Sequence, residues 1–207
     1  MINQVEAQNI LQDFLRIESV TPDAKKSFDF LEKLFKKYNF EIHRVKFGSA
    51  DTMEVENMFA IIGSGVPHLN FAGHVDVVPP GELNSWKHPP FSGHIEEGNI
   101  YARGAEDMKG AVIASIVAGI NYYERMDSKG TLSYMLTGDE EGVAINGTEP
   151  LIKWVNDQGI KINDCIVTEP TNKELIGDNI KIGRRGSLSC DLRIIGNENL
   201  TLEMYVS

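Results

Sequence analysis

The spacing of apolar residues divides the chain into segments of helical period and short apolar runs. Val5, Ile10, Leu11, Phe14 and Leu15, with polar residues between them, predict an amphipathic helix over residues 3–18. Ser19-Val20-Thr21-Pro22 breaks it, and a second helix is expected from near Pro22 to Tyr38, burying Phe28, Leu31, Leu34, Phe35 and Tyr38. Glu41 to Phe47 alternates loosely, as an exposed strand does. Met58 to Ile62 and Leu69 to Val75 suit buried strands, and Pro79-Pro80-Gly81 closes that region. A polar loop with Trp86 and Pro89-Pro90-Phe91 leads to a strand over His94 to Tyr101. Asp107 to Glu124 reads as a long helix rich in Ala, Ile and Val, and Thr131 to Thr137 as a strand. Thr148 to Asp157 follows as a helix, Cys165 to Thr168 as a strand, and Lys181 to Ile195 as a longer strand or hairpin.

Helices alternating with short apolar strands imply an α/β sandwich with a largely central sheet. At 207 residues the chain is one large domain, or one domain and part of a second. Its 42% apolar and 24% charged residues are ordinary for a globular protein and argue against wholesale disorder. A formal net charge of -10 makes nucleic acid and anionic lipid unnatural partners. The same excess suits carboxylates gathered to hold metal. Cys165 and Cys190 cannot make a disulfide framework and lack zinc-knuckle spacing, so they read as reduced thiols. Glu6 and Asp13 sit where a signal peptide would be apolar, and Gly110 to Ile120 falls short of a membrane span. The expectation is a soluble, cytoplasmic protein.

Acids recur at the ends of the expected strands. In Gly73-His74-Val75-Asp76-Val77-Val78-Pro79, His74 and Asp76 are two apart and share one side of a strand. Asp76 can therefore orient a metal-bound imidazole, or the pair is a hydrogen-bonded histidine beside a turn-capping acid. Asp107, in Arg103-Gly104-Ala105-Glu106-Asp107-Met108-Lys109-Gly110, is either a helix N-cap or a carboxylate able to bridge two ions. Asp139-Glu140-Glu141 follows an apolar strand; side by side the three repel one another unless a cation or open solvent relieves them. Adjacent side chains diverge, so one can ligate metal while its neighbour holds a water as general base. Glu169 closes another apolar strand before Pro170. Arg184 and Arg185, beside Ser187, can grip a substrate carboxylate or form an exposed basic turn. No phosphate-binding loop and no G-x-S-x-G nucleophile elbow is present. Taken jointly, one histidine and several carboxylates at strand ends favour a two-metal hydrolytic site.

The runs G-H-V-D-V-V-P, W-x-x-P-P-F-x-G at Trp86 to Gly93, R-G-A-x-D-M-K-G at Arg103 to Gly110 and T-G-D-E-E-G, in this order, resemble the zinc-dependent aminoacylase and carboxypeptidase family. Within it the likeness is to the desuccinylase branch, and it covers the chain to about Gly196. The resemblance implies a metallopeptidase-like catalytic domain over residues 1–178, with a central mixed sheet flanked by helices. Residues 179–207 would begin an α+β lid and dimerisation domain. It implies two zinc ions, or cobalt in their place, per full-length protomer. His74 would bind one, Asp107 would bridge both, and Glu141 and Glu169 would each bind one, with Asp76 orienting His74. Glu140 would be the general base in cleaving the amide of N-succinyl-LL-2,6-diaminopimelate, on the route to lysine. Arg184, Arg185 and Ser187 would help hold substrate carboxylates. Alternatives within the family are acetylornithine deacetylase and dipeptidases. Family members are commonly homodimers.

Family members are longer. They carry a G-H-x-x-x-P segment in the lid and a second histidine ligand near the C-terminus. The five histidines of this chain are His43, His68, His74, His88 and His94, and none follows His94. The expectation is thus an N-terminal portion of such an enzyme, truncated or frame-shifted, holding as few as one ion. An inactive fragment that binds metal or a partner chain is the reading from a different class.

Overall fold

The structure, a computed structural model, describes residues 1–125 and 130–183 and the backbone of two further strands at 190–195 and 201–206. Contacts divide the chain into two compact units, Met1–Pro170 and Thr171–Ser207.

The first unit opens with helix α1 (Gln4–Leu15), where Asn3 and Glu6 form a reciprocal capping box. Helix α2 (Lys25–Lys37) buries Phe28, Leu31 and Phe35 on one face. It starts three residues after Pro22 because the preceding segment is used elsewhere. The Thr21 N–H donates to the Val77 carbonyl, and the Val77 N–H donates to that of Ser19. These bonds clamp residues 19–21 along residues 75–77.

Strands β1 (Glu41–Ser49) and β2 (Thr52–Ser64) form an antiparallel hairpin, followed by β3 (His68–His74). The region expected as one strand over His94 to Tyr101 is a small hairpin, β4 (His94–Glu96) and β5 (Asn99–Tyr101). Glu97 and Gly98, both at positive φ, turn the chain between them. Helix α3 (Gly110–Arg125) starts later than Asp107, which lies in a kinked turn over Ala105–Lys109. Strand β6 (Gly130–Thr137), helix α4 (Thr148–Asp157) and strand β7 (Asp164–Val167) complete the unit.

The five-stranded sheet runs in the order β1-β2-β6-β3-β7. It is mixed: β1–β2 and β2–β6 are antiparallel, while β6–β3 and β3–β7 are parallel. The crossovers β3-α3-β6 and β6-α4-β7 travel in opposite directions across the sheet. A single right-handed sense therefore puts α3 and α4 on opposite faces. The core agrees. Phe14, Phe28, Phe35, Ile116 and Tyr134 pack together on one face, and Phe59, Met135, Leu151 and Val155 on the other. A sheet covered on both sides explains why Met58 to Ile62 is continuously apolar rather than alternating. At the open edge, β7 leaves Ile166 and Val167 exposed.

Arg44 fastens α2 to the first hairpin. Its guanidinium donates to both oxygens of Glu56 at 2.8 and 2.7 Å, to Asp29 at 2.5 Å and to Glu32 at 2.9 Å. Arg44→Met leaves three carboxylates without their shared cation. It is expected to lower unfolding stability by about 1.5–3 kcal/mol in urea denaturation, the range for hydrogen bonds to charged groups.

In the second unit, Thr171 and Asn179 exchange side-chain to backbone hydrogen bonds, and Asp178 accepts the N–H groups of Lys173, Glu174 and Leu175. Strands β8 (Cys190–Ile195) and β9 (Thr201–Val206) pair antiparallel. The strand or hairpin expected from Lys181 is thus confined, among the described residues, to this later pairing.

Candidate metal centre

Three parallel strands, β3, β6 and β7, end on the same side of the sheet, with His74 directly opposite Thr137. His74 is the last residue of β3 and is buried. Its Nδ1 lies 2.9 Å from the backbone oxygen of Asp76, so this nitrogen donates, and in the neutral ring the lone pair falls to Nε2, which faces outward. Nε2 is 3.0 Å from Asp107 Oδ1, 3.5 Å from Glu169 Oε1 and 3.8 Å from Glu140 Oε2. Ligand atoms of His74, Asp107 and Glu141 lie within 4.8 Å of one another, as do those of His74, Glu140 and Glu169.

The loops carry these acids for local reasons. Gly104 takes a φ of +77°, and a Cβ there would meet Val77 at 2.4 Å. A Cβ at Gly110 would meet the Ala105 carbonyl oxygen at 2.3 Å. Only glycines at both ends let this segment turn tightly and present Asp107, which is half exposed. Behind it, Met108 is buried and its sulfur accepts the His74 N–H at 3.3 Å.

Asp76 does more than face the histidine. Its carboxylate is wholly buried, 3.6 Å from Nδ1 of His74. It accepts the backbone N–H of Glu140 at 3.1 and 3.2 Å and that of Glu141 at 3.0 Å. The loop after β6 is therefore fastened to the end of β3. Of the three consecutive acids, Asp139 does not join the cluster. It is buried, takes a hydrogen bond from Thr21 at 3.2 Å and accepts the Ala144 N–H at 3.1 Å, closing its own loop. Arg184, Arg185 and Ser187 lie outside the described residues.

The electrostatics ask for a cation. Burial and then the charge of Asp107 push the Glu141 carboxyl above its usual range. Glu169 is pushed up by burial and by the charges of Asp107 and Glu140, against the opposing pull of His74. For His74, burial alone would lower the imidazole, but the hydrogen bonds and charge of Asp76, with the charge of Glu169, raise it to about 9.

The donor set fits zinc. Bonds of about 2.0–2.2 Å at a tetrahedral angle separate ligand atoms by about 3.3–3.6 Å, and His74 stands 3.0 and 3.5 Å from two carboxylate oxygens, near enough for small side-chain shifts to close on an ion. A ligand imidazole must be neutral. In chain stripped with chelator, His74 is protonated at pH 7.5, and zinc uptake is expected to expel close to one proton. As the pH rises through about 9 that proton is already gone, so release from His74 fades and affinity grows. Calorimetry in buffers of different ionisation enthalpy measures the count.

Lys109 is the residue that sequence reasoning passed over. It is fully buried, and its Nζ donates to the Ile17 carbonyl at 2.7 Å while lying 4.9 Å from the Phe14 ring. Burial pushes its ammonium down to about 7. It ties the Asp107 segment to the end of α1. The available signal was a lysine at the start of an otherwise apolar helix.

The chain is 45% identical over 193 residues to a protein of Rhodopseudomonas palustris named succinyl-diaminopimelate desuccinylase, with 92% of this chain and 50% of that protein covered. A protein of the same name from a Bradyrhizobium species is 45% identical over 195 residues, covering 93% and 51%. The chain thus spans about half the length of the curated relatives it matches. The crystal structure of an M20 family metallo-carboxypeptidase from Sulfolobus solfataricus superposes with a TM-score of 0.68 at 24% identity, over 79% of this chain and 37% of that one. Among the described residues no helix is long and apolar enough to cross a membrane. The sequence profile described as Peptidase family M20/M25/M40 matches residues 70–205, the stretch from β3 onward that carries all five converging side chains. On that match, which takes in more than half of its residues, the chain belongs to peptidase family M20/M25/M40.

Proposed function

We propose that this chain is the metal-binding part of an amidohydrolase that cleaves N-succinyl-LL-2,6-diaminopimelate to succinate and LL-2,6-diaminopimelate. The observation that carries the reading is the convergence of Asp107, Glu140 and Glu169 on the outward nitrogen of His74, with Glu141 beside Asp107, in a chain whose relatives bear the name of that reaction. Two zinc ions, or cobalt, are the intended occupants. His74 would take one, Asp107 would serve both, and Glu141 and Glu169 would each hold one. Held there, such ions would supply Lewis-acid polarisation of the scissile carbonyl and a lowered pKa for bound water.

The chain's own residues then move the protons. Glu140 accepts a proton from the attacking water as its oxygen bonds to the amide carbon. The C–N bond breaks, and the protonated Glu140 gives that proton to the leaving amine, so both products leave with their atoms balanced. Asp76 holds His74 and the acidic loop in place meanwhile. Residues 179–207 begin a lid and dimerisation domain, in which Arg184, Arg185 and Ser187 hold the carboxylates of the substrate. The reaction belongs in the cytoplasm, and the homodimer common in the family is carried by the full-length lid domain, of which this chain holds only the start.

The test is succinate release from N-succinyl-LL-2,6-diaminopimelate by purified chain with zinc or cobalt added, beside N-acetylornithine. Metal-dependent release of succinate supports the reading. Faster cleavage of N-acetylornithine assigns the deacetylase reaction instead. A folded, metal-loaded chain that turns over neither substrate leaves metal binding, without hydrolysis, as what this chain does.

A further inference from the structure

Four of the five histidines lie away from the metal centre, and two of these have plain structural roles. His43 packs at 5.2 Å on Trp154 and pairs with Glu41. His68 is buried, with its ring nitrogens on the Lys161 carbonyl and the Ser133 hydroxyl. His88 and His94 are different. Their rings stack at 3.8 Å, 22° from parallel. His94 and Glu96 are the outer residues of β4, two apart, and so share one side of that short strand. His88 reaches over from the preceding loop, with its Nε2 3.3 Å from Glu96 Oε2.

We propose that the β4–β5 hairpin carries a second, peripheral site for one divalent transition-metal ion, held by His88, His94 and Glu96. One ligand atom from each of the three lies within 4.8 Å of the others. The 3.3 Å from nitrogen to oxygen is at the short end of the edge, about 3.3–3.6 Å, of a tetrahedron built on zinc bonds of about 2.0–2.2 Å. Two imidazoles and one carboxylate are the donors that zinc, cobalt and nickel take in preference to calcium or magnesium. The remaining coordination positions are open to water, because His94 is exposed.

The Lys87 ammonium now pairs with the same Glu96 oxygen that faces His88. A dication at this place must displace it and must also turn the stacked rings out of their near-parallel planes, so that one nitrogen of each faces the ion. Lys87 is thus a built-in competitor, and its removal distinguishes a metal site from a merely stacked pair of rings.

The probe is Co2+ alone, followed by its visible absorption, in His74→Ala chain, where the main centre lacks its imidazole. One equivalent of Co2+ is expected to bind, with His88 and His94 imidazole resonances broadened by the paramagnetic ion. His88→Gln with His94→Gln should weaken that binding by more than about tenfold, since loss of outer-shell partners alone costs that much. Lys87→Met should tighten it several-fold. Broadening confined to other residues, or Co2+ affinity unchanged in both the double variant and Lys87→Met, overturns the proposal. The Lys87 variant and the resonances keep the test decisive if the double variant folds poorly.

Discussion

On the reaction proposed above, Glu140→Gln is expected to lower the rate of amide cleavage by about 10²–10⁴-fold, the usual contribution of a positioned general base, while zinc affinity stays near that of the parent chain. Glutamine keeps the shape of the side chain and removes only its ability to take a proton. The neighbouring Glu141→Gln is expected to do the reverse, loosening zinc first and losing rate as a consequence. The distinction rests on where the two acids stand. Both backbone N–H groups are held by Asp76, so neither residue can drift, and their side chains diverge from one fixed stretch of loop. Glu141 sits within reach of both Asp107 and His74, where burial and the Asp107 charge already make a lone carboxylate uncomfortable. Glu140 is more exposed, with its nearest oxygen 3.8 Å from the His74 nitrogen. Calorimetric zinc titration beside steady-state kinetics separates the two roles. If Glu140→Gln loosens zinc as much as Glu141→Gln does, the assignment of base and ligand must be exchanged.

Periodicity located α2 and α4 closely because each buries one face whose spacing is visible in the chain, and β6 because a central strand covered on both sides is one short apolar run. It also placed an acid or histidine beyond each parallel strand, where α/β sheets put their sites. What it could not reach were choices made by distant partners. The start of α2 depends on residues 19–21 bonding to residues 75–77, which no local pattern records. The extra length of β2 at its polar beginning comes from pairing with β1, not from its own hydrophobicity. Asp107 precedes an apolar helix as an N-cap would. It has a ψ of 101° in a kinked turn instead, because glycines at 104 and 110 admit a geometry other residues cannot. Among Asp139, Glu140 and Glu141 the letters alone do not tell which acid turns inward. Thr21, more than a hundred positions earlier, decides that.

Asp76→Ala is the substitution expected to damage both fold and site. The carboxylate is wholly buried and receives the N–H groups of Glu140 and Glu141, so alanine leaves two donors without their acceptor. At about 1–3 kcal/mol for each lost partner, and with Glu140 partly open to water, the expected loss is about 2–4 kcal/mol in urea denaturation. Zinc affinity should fall by about 10–100-fold, as it does when the partner behind a metal ligand is removed. Asp76→Asn separates these effects. Its amide oxygen can still accept an N–H from the acidic loop, so much of the stability should return. Its charge is gone, and with it part of what raises His74 to about 9. The His74 imidazole, followed by NMR in chelator, should therefore titrate at lower pH in the asparagine variant than in the parent chain. An unchanged His74 titration in Asp76→Asn would mean that the backbone oxygen of Asp76, at 2.9 Å, governs the imidazole alone. The carboxylate would then serve only to hold the acidic loop against the end of β3.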